Sequence, residues 1–392
     1  MELAPPRPPA TLGEWIRGNL FSSPFNTVLT VVAGVVIALG GYGVLRWIFV
    51  SADWQVVKAN LRVFMIGRFP LEETWRIWAS AYLAVFLAGL SVGVTGIGVR
   101  RTAAGAARWL ILGGLVVYAL IFLLDGLRVW VSIAAGAALL GIGIAVGRAG
   151  GRSLRIPLAI GWIASFLLVI LLLRGFGGVP PRLWGGFVLN LVVAVVGISL
   201  SFPAGVLLAL GRRSSLPVIR FFSIGVIEIV RGVPLVTLLI FGQFVLPLLL
   251  PSGVRLAPIL RALVMITIFA AAYVAEIVRG GLQGIHHGQY EAARALGLPA
   301  TRMMLLIILP QALRNTIPAM IGQFISLFKD TSLIAVLGLN DLLDVSRNAP
   351  RLEFSGDVKE ALLAAALLFW IVAYSMSRWS QRLERRLGVG ER

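Results

Sequence analysis

From one end of the chain to the other, apolar stretches recur that are long enough to cross a hydrocarbon core of about 30 Å, which takes roughly 20 helical residues. Ten stand out, at 26 to 50, 78 to 98, 109 to 124, 129 to 147, 156 to 174, 184 to 210, 218 to 250, 258 to 279, 313 to 338 and 360 to 378. The third is short, and the seventh is long enough to contain an interfacial turn. With 58% hydrophobic residues, 13% charged residues and a mean hydropathy of +0.92 over 392 residues, the chain is not a soluble globular protein. The expected fold class is an all-α integral membrane protein with about ten transmembrane helices.

A formal charge of +18 raises the question of a nucleic-acid partner, but its distribution along the chain answers against one. Segments 99 to 108, 148 to 155 and 211 to 220 each carry three Arg and no acid, whereas 51 to 76 and 340 to 360 mix acids with their bases. The positive-inside rule places the first group in the cytoplasm of a lipid bilayer. Ten spans then put both termini inside, and the basic tail Arg378, Arg382, Arg385 and Arg386 agrees. The chain is expected to cross its membrane many times.

Several chemistries are excluded by residue type. The first apolar stretch follows about 25 residues and is long enough to span, so it reads as an anchor rather than a cleavable signal. There is no Cys, hence no disulfide, thiolate nucleophile or Cys-based metal site. The two histidines, His286 and His287, are sequence neighbours and point in different directions on a helix, so they read as solvated loop residues without a metal. A phosphate-binding Walker A loop needs Lys followed by Ser or Thr. Lys58, Lys329 and Lys359 precede Ala59, Asp330 and Glu360, so this chain hydrolyses no ATP. No nucleophile, base and orienter set suggests an enzyme.

Between the eighth and ninth apolar stretches lies a polar, small-residue segment, Gly288-Gln289-Tyr290-Glu291-Ala292-Ala293-Arg294-Ala295-Leu296-Gly297, followed by Ile307-Ile308-Leu309-Pro310. Ala292, Ala293 and Ala295 are small helix formers that let another protein approach the backbone. Gly297 suits a helix end, Pro299 forbids continuation, and Thr301 is placed to cap a second short helix ending at the breaker Pro310. The pattern predicts a stiff elbow with a docking surface.

The spacing Glu-Ala-Ala, three residues, Gly, nine residues, Ile-x-Leu-Pro resembles the cytoplasmic coupling loop of ABC importer permeases. Arg231-Gly232-Val233-Pro234, the run Tyr273-Val274-Ala275-Glu276 to Arg279-Gly280-Gly281, Pro310-Gln311-Ala312-Leu313-Arg314 and Phe328-Lys329-Asp330-Thr331-Ser332-Leu333 resemble the amino-acid branch of that family. Asn19-Leu20-Phe21-Ser22-Ser23-Pro24, Phe64-Met65-Ile66-Gly67-Arg68-Phe69-Pro70 and Trp75-Arg76 are similar to a general L-amino-acid subgroup with extra amino-terminal helices. Asn190 stands where that subgroup's pattern leads one to expect Thr. The resemblance implies a cytoplasmic segment at 1 to 25, an extension of about five transmembrane helices at 26 to 180, a type I permease domain at 184 to 380 with its coupling loop at 284 to 310, and a basic cytoplasmic tail at 381 to 392. It further implies three kinds of protein partner: a dimer of ATPase subunits that uses ATP and Mg, a second, related but unlike permease, and an extracytoplasmic amino-acid-binding protein. No cofactor is expected on this chain. Gly288, Glu291, Ala292, Ala293, Gly297, Leu309 and Pro310 are the residues expected to couple to the ATPase.

A pentapeptide occurs twice, Glu228-Ile229-Val230-Arg231-Gly232 and Glu276-Ile277-Val278-Arg279-Gly280. Glu and Arg three apart share a helix face and can pair within each copy. A charge at the bilayer centre costs about 2.5 to 3.5 kcal/mol on insertion scales, so ionisable groups in spans usually face a bundle interior or pathway. Both copies come out nearer the cytoplasmic side, as an inner gate or as helix-end ion pairs that anchor packing. Gly232 and Pro234 are expected to break the seventh helix and free carbonyls for a pathway. Gln243, Gln323, Lys329 and Asp330 are further pathway candidates, though the glutamines suit helix-to-helix hydrogen bonds and Lys329 with Asp330 suits an internally neutralised pair. A self-sufficient ion-coupled carrier or channel is the alternative reading. It is weakened by the lack of a half-to-half repeat and by only 17 acidic residues.

Overall fold

The computed structural model describes residues 11–95, 127–348 and 358–387, all-helical apart from turns and one isolated bridge among those residues. The stretch 109 to 124 and the last three residues of 78 to 98 lie outside the described residues; over the described residues the other stretches are helical, 218 to 250 in more than one piece. Arg385 and Arg386 of the basic tail lie on the last helix.

The chain forms two compact units, Met1–Gln55 and Val56–Arg392. The first holds α1 (Leu12–Asn19) and α2 (Pro24–Arg46). A capping box between Thr11 and Glu14 starts α1. Ser23 caps α2 by accepting from Asn26 N at 3.1 Å, with Pro24 at the first helical position, where no N–H is needed.

The second unit begins with α3 (Gln55–Ile66), α4 (Trp75–Thr95), α5 (Leu127–Gly150) and α6 (Arg155–Arg174). With no hydrophobic force between helices in lipid, close packing needs small residues. Gly89 and Gly93 on α4 meet Gly143 and Gly147 on α5. A Cβ on Gly89 would lie 2.4 Å from the Leu140 carbonyl oxygen, and one on Gly147 would lie 2.8 Å from Gly93 Cα. Arg76, 7% exposed, donates from Nη1 to the Leu172 and Gly175 carbonyls at 2.9 and 3.1 Å. It thereby satisfies acceptors that the end of α6 leaves open.

The remaining helices are α7 (Gly186–Arg212), α8 (Pro217–Gly232), α9 (Leu235–Ile240), α10 (Pro258–Gln283), α11 (His287–Ala295), α12 (Leu309–Asp330), α13 (Leu342–Asn348) and α14 (Lys359–Leu387). Helix α10 packs along α7 on one side and α12 on the other, and α12 packs on α14. Gly186 has φ +58°, and a Cβ there would sit 2.5 Å from the Phe64 carbonyl oxygen, so glycine lets the end of α3 touch the start of α7. One core runs through α3, α4, α6, α7, α10, α12 and α14 around Phe187, Leu189, Ile266 and Phe328. A second gathers Ile227, Val274, Val278, Leu282, Ala293, Ile308 and Ala312 beneath α11.

One expectation about proline holds and another is revised. The stretch 218 to 250 is not one helix: α8 and the segment from α9 to Leu249 meet at 108°, with the break at Val233 and Pro234. Pro310, by contrast, does not break its helix. A turn at Ala300–Met303, a π-helical turn at Met304–Ile308 and α12 run on as one span to Leu337, with Pro310 in the first turn of α12. The wider π turn moves the carbonyl that a proline ring would strike in a regular helix. Nor does Thr301 cap: it lies inside the turn that Pro299 begins.

Replacing Gly93 or Gly147 by Leu is expected to destabilise the chain by about 1 to 3 kcal/mol, the usual cost of overpacking. The melting temperature of the protein in detergent should fall, while Gly141→Leu, where a Cβ meets nothing within 4 Å, leaves it nearly unchanged.

Candidate functional site

Helix α11 and the turns around it form the elbow foreseen in the sequence. His286 is the N-cap, its Nδ1 accepting from Gly288 N at 3.2 Å, and His287 Nδ1 lies 3.0 Å from Glu291 Oε1. His286 therefore has a structural task that its description as a plain loop residue missed. The other end closes with Gly297 at φ +71°, Gly297 N donating to the Arg294 carbonyl at 2.9 Å and Leu298 N to the Ala293 carbonyl at 3.2 Å. This is the Schellman pattern, which satisfies the last carbonyls of a helix and fixes the direction in which the chain leaves it.

The small residues of the elbow divide into two roles. Ala293 is 1% exposed and belongs to the core beneath, so it cannot face another protein. Glu291, Ala292, Ala295 and Gly297 are exposed, and Leu296 stands 77% exposed beside them. Gly288 is half-buried, Leu309 is buried at the start of α12, and Pro310 is exposed. The elbow is tied to the bundle by side chains. Tyr290 accepts from Arg213 Nη1 at 3.2 Å and donates toward the Leu282 carbonyl at 3.4 Å, and Gln311 Nε2 donates to Gln289 Oε1 at 3.1 Å.

Above the elbow the two pentapeptides come together, wired differently from the expected pattern. Glu276 does pair with Arg279 on its own helix, Arg279 Nε donating to Oε1 at 2.9 Å. Glu228 does not pair with Arg231. Instead Arg212 Nη1, at the end of α7, donates to Glu228 Oε1 at 2.8 Å, and Arg231 Nη1 reaches Glu276 Oε2 at 3.4 Å. Arg212 Nη1 is also 3.7 Å from Glu276 Oε2, and the Arg231 guanidinium lies 5.7 Å from the Tyr273 ring centroid. Helix α8 packs against both α7 and α10, so Glu228 and Arg231 each have an opposite charge on a neighbouring helix within reach. Three guanidiniums share two carboxylates across three helix ends. Arg212 and Arg213 appeared in the sequence only as loop charges, because nothing local marks which distant acid they meet.

The other sequence candidates are dispersed. Gly232 and Pro234 flank the bend. Gln243 sits in a π-helical turn, Phe241–Val245, where its backbone carbonyl accepts from Arg261 Nη1 at 2.7 Å. Gln323, Lys329 and Asp330 lie along α12, and Lys329 and Asp330 form no ion pair with each other. Adjacent helical side chains diverge, so the two make no direct salt bridge, though their charges still attract. Lys329 opens instead into a groove between α12 and α14.

A buried polar joint closes the other end of the bundle. Asn190, fully buried on α7, donates from Nδ2 to Asp341 Oδ2 at 3.1 Å and Thr331 Oγ1 at 3.2 Å, and its Oδ1 accepts from Leu342 N at 3.0 Å. Asp341 Oδ1 accepts from Asp344 N at 3.0 Å, capping α13. Asn190 thus has a full set of partners that a shorter Thr could not supply. Burial pushes the Asp341 carboxyl from 3.8 up to about 6, against the pull of its hydrogen bonds from the Asp344 backbone and Asn190.

Geometry of this kind can transmit movement between an exposed elbow and helix ends, and comparison with known proteins says in which setting. Residues 201–389 match the family of binding-protein-dependent transport system inner membrane components. The glutamate/glutamine/aspartate/asparagine transport system permease protein BztC of Rhodobacter capsulatus is 36% identical over 98% of this chain and 96% of its own length. The chain belongs to the permease family of amino-acid ABC transporters. The inner membrane amino-acid ABC transporter permease protein YhdY of Escherichia coli K12 is 35% identical, again over 98% of this permease and 97% of itself. The probable glutamine ABC transporter permease protein GlnP of Bacillus subtilis is 38% identical over 93% of its length but only 52% of this permease. About half of the present chain therefore has no counterpart in the shorter relative. Permease subunits of this family are not catalytic, and an ion-coupled carrier is set aside.

Two outcomes follow from the charges. If Arg212 is the partner of Glu228, exchanging their charges (Arg212→Glu with Glu228→Arg) should recover transport lost in either single variant, by about 5-fold or more for a coupling of 1 kcal/mol or above, while the Glu228→Arg, Arg231→Glu exchange recovers none. For Asp341, the raised carboxyl makes ionisation costly in the folded state. Its stabilising contribution is complete below about pH 4 and is lost as pH rises through 6, with a full size of order 3 kcal/mol. The melting temperature should therefore fall from pH 4 to 7 more steeply in the parent than in Asp341→Asn.

Proposed function

We propose that this permease forms one wall of an amino-acid import pathway and receives its driving motion at the α11 elbow from a separate ATPase dimer. In this reading the ATPase subunits use ATP and Mg, a second and unlike permease completes the pathway, and an extracytoplasmic binding protein delivers the amino acid. The observation that carries it is the elbow itself: an exposed face of Glu291, Ala292, Ala295, Leu296 and Gly297 on a helix whose Ala293 is rooted in the core. A push on such a face moves the core beneath it rather than bending a loop.

The route from elbow to pathway runs through Tyr290 and Arg213 to the neighbouring Arg212, and from there into the carboxylates of Glu228 and Glu276. The paired helix ends act as an inner gate whose partners change as α8 and α10 move, a packing change of the kind that switches transporters between states. The arginine-rich loops argue for the elbow, both termini and the tail at 381 to 392 lying in the cytoplasm. The Asn190–Asp341 joint then faces outward. The segment 184 to 380 acts as the permease domain, with 284 to 310 as its coupling loop. The helices of 26 to 180 precede it as an amino-terminal addition.

Binding-protein-dependent ATP hydrolysis by the reconstituted complex tests this. Gly297→Val strains the left-handed turn, and Leu296→Asp places a charge on the docking face. Each should lower stimulated hydrolysis at least about tenfold, a change of 1.4 kcal/mol in coupling, and Leu296→Asp should also reduce copurification of the ATPase. Stimulation equal to the parent in both variants would remove the elbow from the mechanism.

A further inference from the structure

Helix α1 has an apolar side and a polar side, and among the described residues neither is covered by protein. Leu12, Trp15, Ile16 and Leu20, at spacings of three and four, fall along one side, and Gly13, Glu14, Arg17 and Gly18 fall along the other. No residue of α1 is buried, and Leu12 and Trp15 stand 79% and 53% exposed. The joint to α2 is fixed by side chains. Ser23 caps α2, Asn26 Nδ2 donates to Ser22 Oγ at 2.7 Å, and Thr30 Oγ1 donates to the Leu20 carbonyl at 2.7 Å. The last bond satisfies an acceptor at the end of α1 and holds that end level with Thr30, about 9 Å into α2 at about 1.5 Å per residue.

The length of the span says what lies at that level. From Pro24 it runs 28 residues to Ser51, about 42 Å, whereas a hydrocarbon core is about 30 Å thick. Counted from Thr30 it runs about 33 Å, which matches the core. The first turn of α2, Pro24-Phe25-Asn26-Thr27, mixes polar with apolar residues, as a headgroup layer admits.

We infer that α1 lies along the inner surface of the bilayer, with Leu12, Trp15, Ile16 and Leu20 at the boundary between headgroups and acyl chains and Glu14 and Arg17 in water. The choice of surface follows from the cytoplasmic amino terminus proposed above. A protein partner is the competing cover. The bilayer is favoured because the joint already brings the end of α1 to the lipid boundary of its own span, and because α2, none of whose residues is buried, continues the same apolar surface. Trp15 is the residue type that collects at such interfaces. With one acid and one base, α1 is held by apolar area rather than by charge, and it sets the depth at which α2 sits.

The chain has no native cysteine, so nitroxide labels can be placed singly at Leu12→Cys, Gly13→Cys, Ile16→Cys and Arg17→Cys in the purified full chain in lipid nanodiscs. Power-saturation EPR then compares collisions with oxygen, which concentrates among acyl chains, and with a water-soluble nickel chelate. The oxygen-to-nickel ratio at 12 and 16 should exceed that at 13 and 17 by about threefold or more and approach that of a label at Val36→Cys, within α2. Leu12→Asp with Ile16→Asp should bring a label at Trp15→Cys down to the ratio of the water-facing positions, with the melting temperature unchanged. Equal ratios at the four positions, or a label at 15 that the double variant does not move, would overturn the inference. So would labels at 12 and 16 shielded from both reagents, or a melting temperature lowered by the double variant, since either result means that protein covers this face.

Discussion

Glu276 is the residue on which the architecture of the inner helix ends turns. Its carboxylate takes Arg279 from its own helix, Arg231 from α8 and, at longer range, Arg212 from α7. An exposed pair in water contributes only about 0 to 1 kcal/mol, so this knot matters less for stability than for address. It specifies which turn of α8 lies beside which turn of α10. The elbow joins the same arrangement through Arg213, one residue from Arg212, which donates to Tyr290. Polar contacts thus connect an exposed helix to the ends of the three helices above it.

The division of labour within the elbow explains its residue choices. Alanine at 293 is small because the core of its own chain closes over it, whereas the neighbouring alanines at 292 and 295 remain outside. Glycine at 297 is needed for its left-handed backbone rather than for space, since a Cβ there would meet nothing. One short sequence therefore answers to two constraints, an inner surface fixed by packing and an outer surface free to fit something else.

Much of the fold was legible in the sequence because lipid imposes a coarse rule: apolar length predicts a helix, and over the described residues the apolar stretches are helical. The elbow was legible too, since Gly297, Pro299 and the alanines act locally. What sequence could not supply was partnership across distance. Spacing of three residues pairs Glu276 with Arg279 correctly and Glu228 with Arg231 wrongly, because their partners sit on the neighbouring helices α7 and α10. Proline was misread at 310 for a related reason: its effect depends on whether the preceding turn can widen, and the π turn at Met304–Ile308 does. Asn190 looked like an isolated polar substitution until Thr331, Asp341 and Leu342, more than 140 positions away, closed around it. The glycines of α4 and α5 were visible but unread, because a close helix contact needs both faces to be known.

The two main hydrophobic clusters are each closed on themselves, one holding Phe187, Ile266 and Phe328, the other Ile227, Val278 and Ala293. Both draw on α10 and α12, which pass from one to the other without a break. Tight interiors resist deformation, so a load applied at the floor is least costly to absorb in the layer where the two interiors meet. Stiff shafts crossing a soft seam behave as levers: a small tilt imposed below becomes a wider sweep above, with neither packed interior having to come apart.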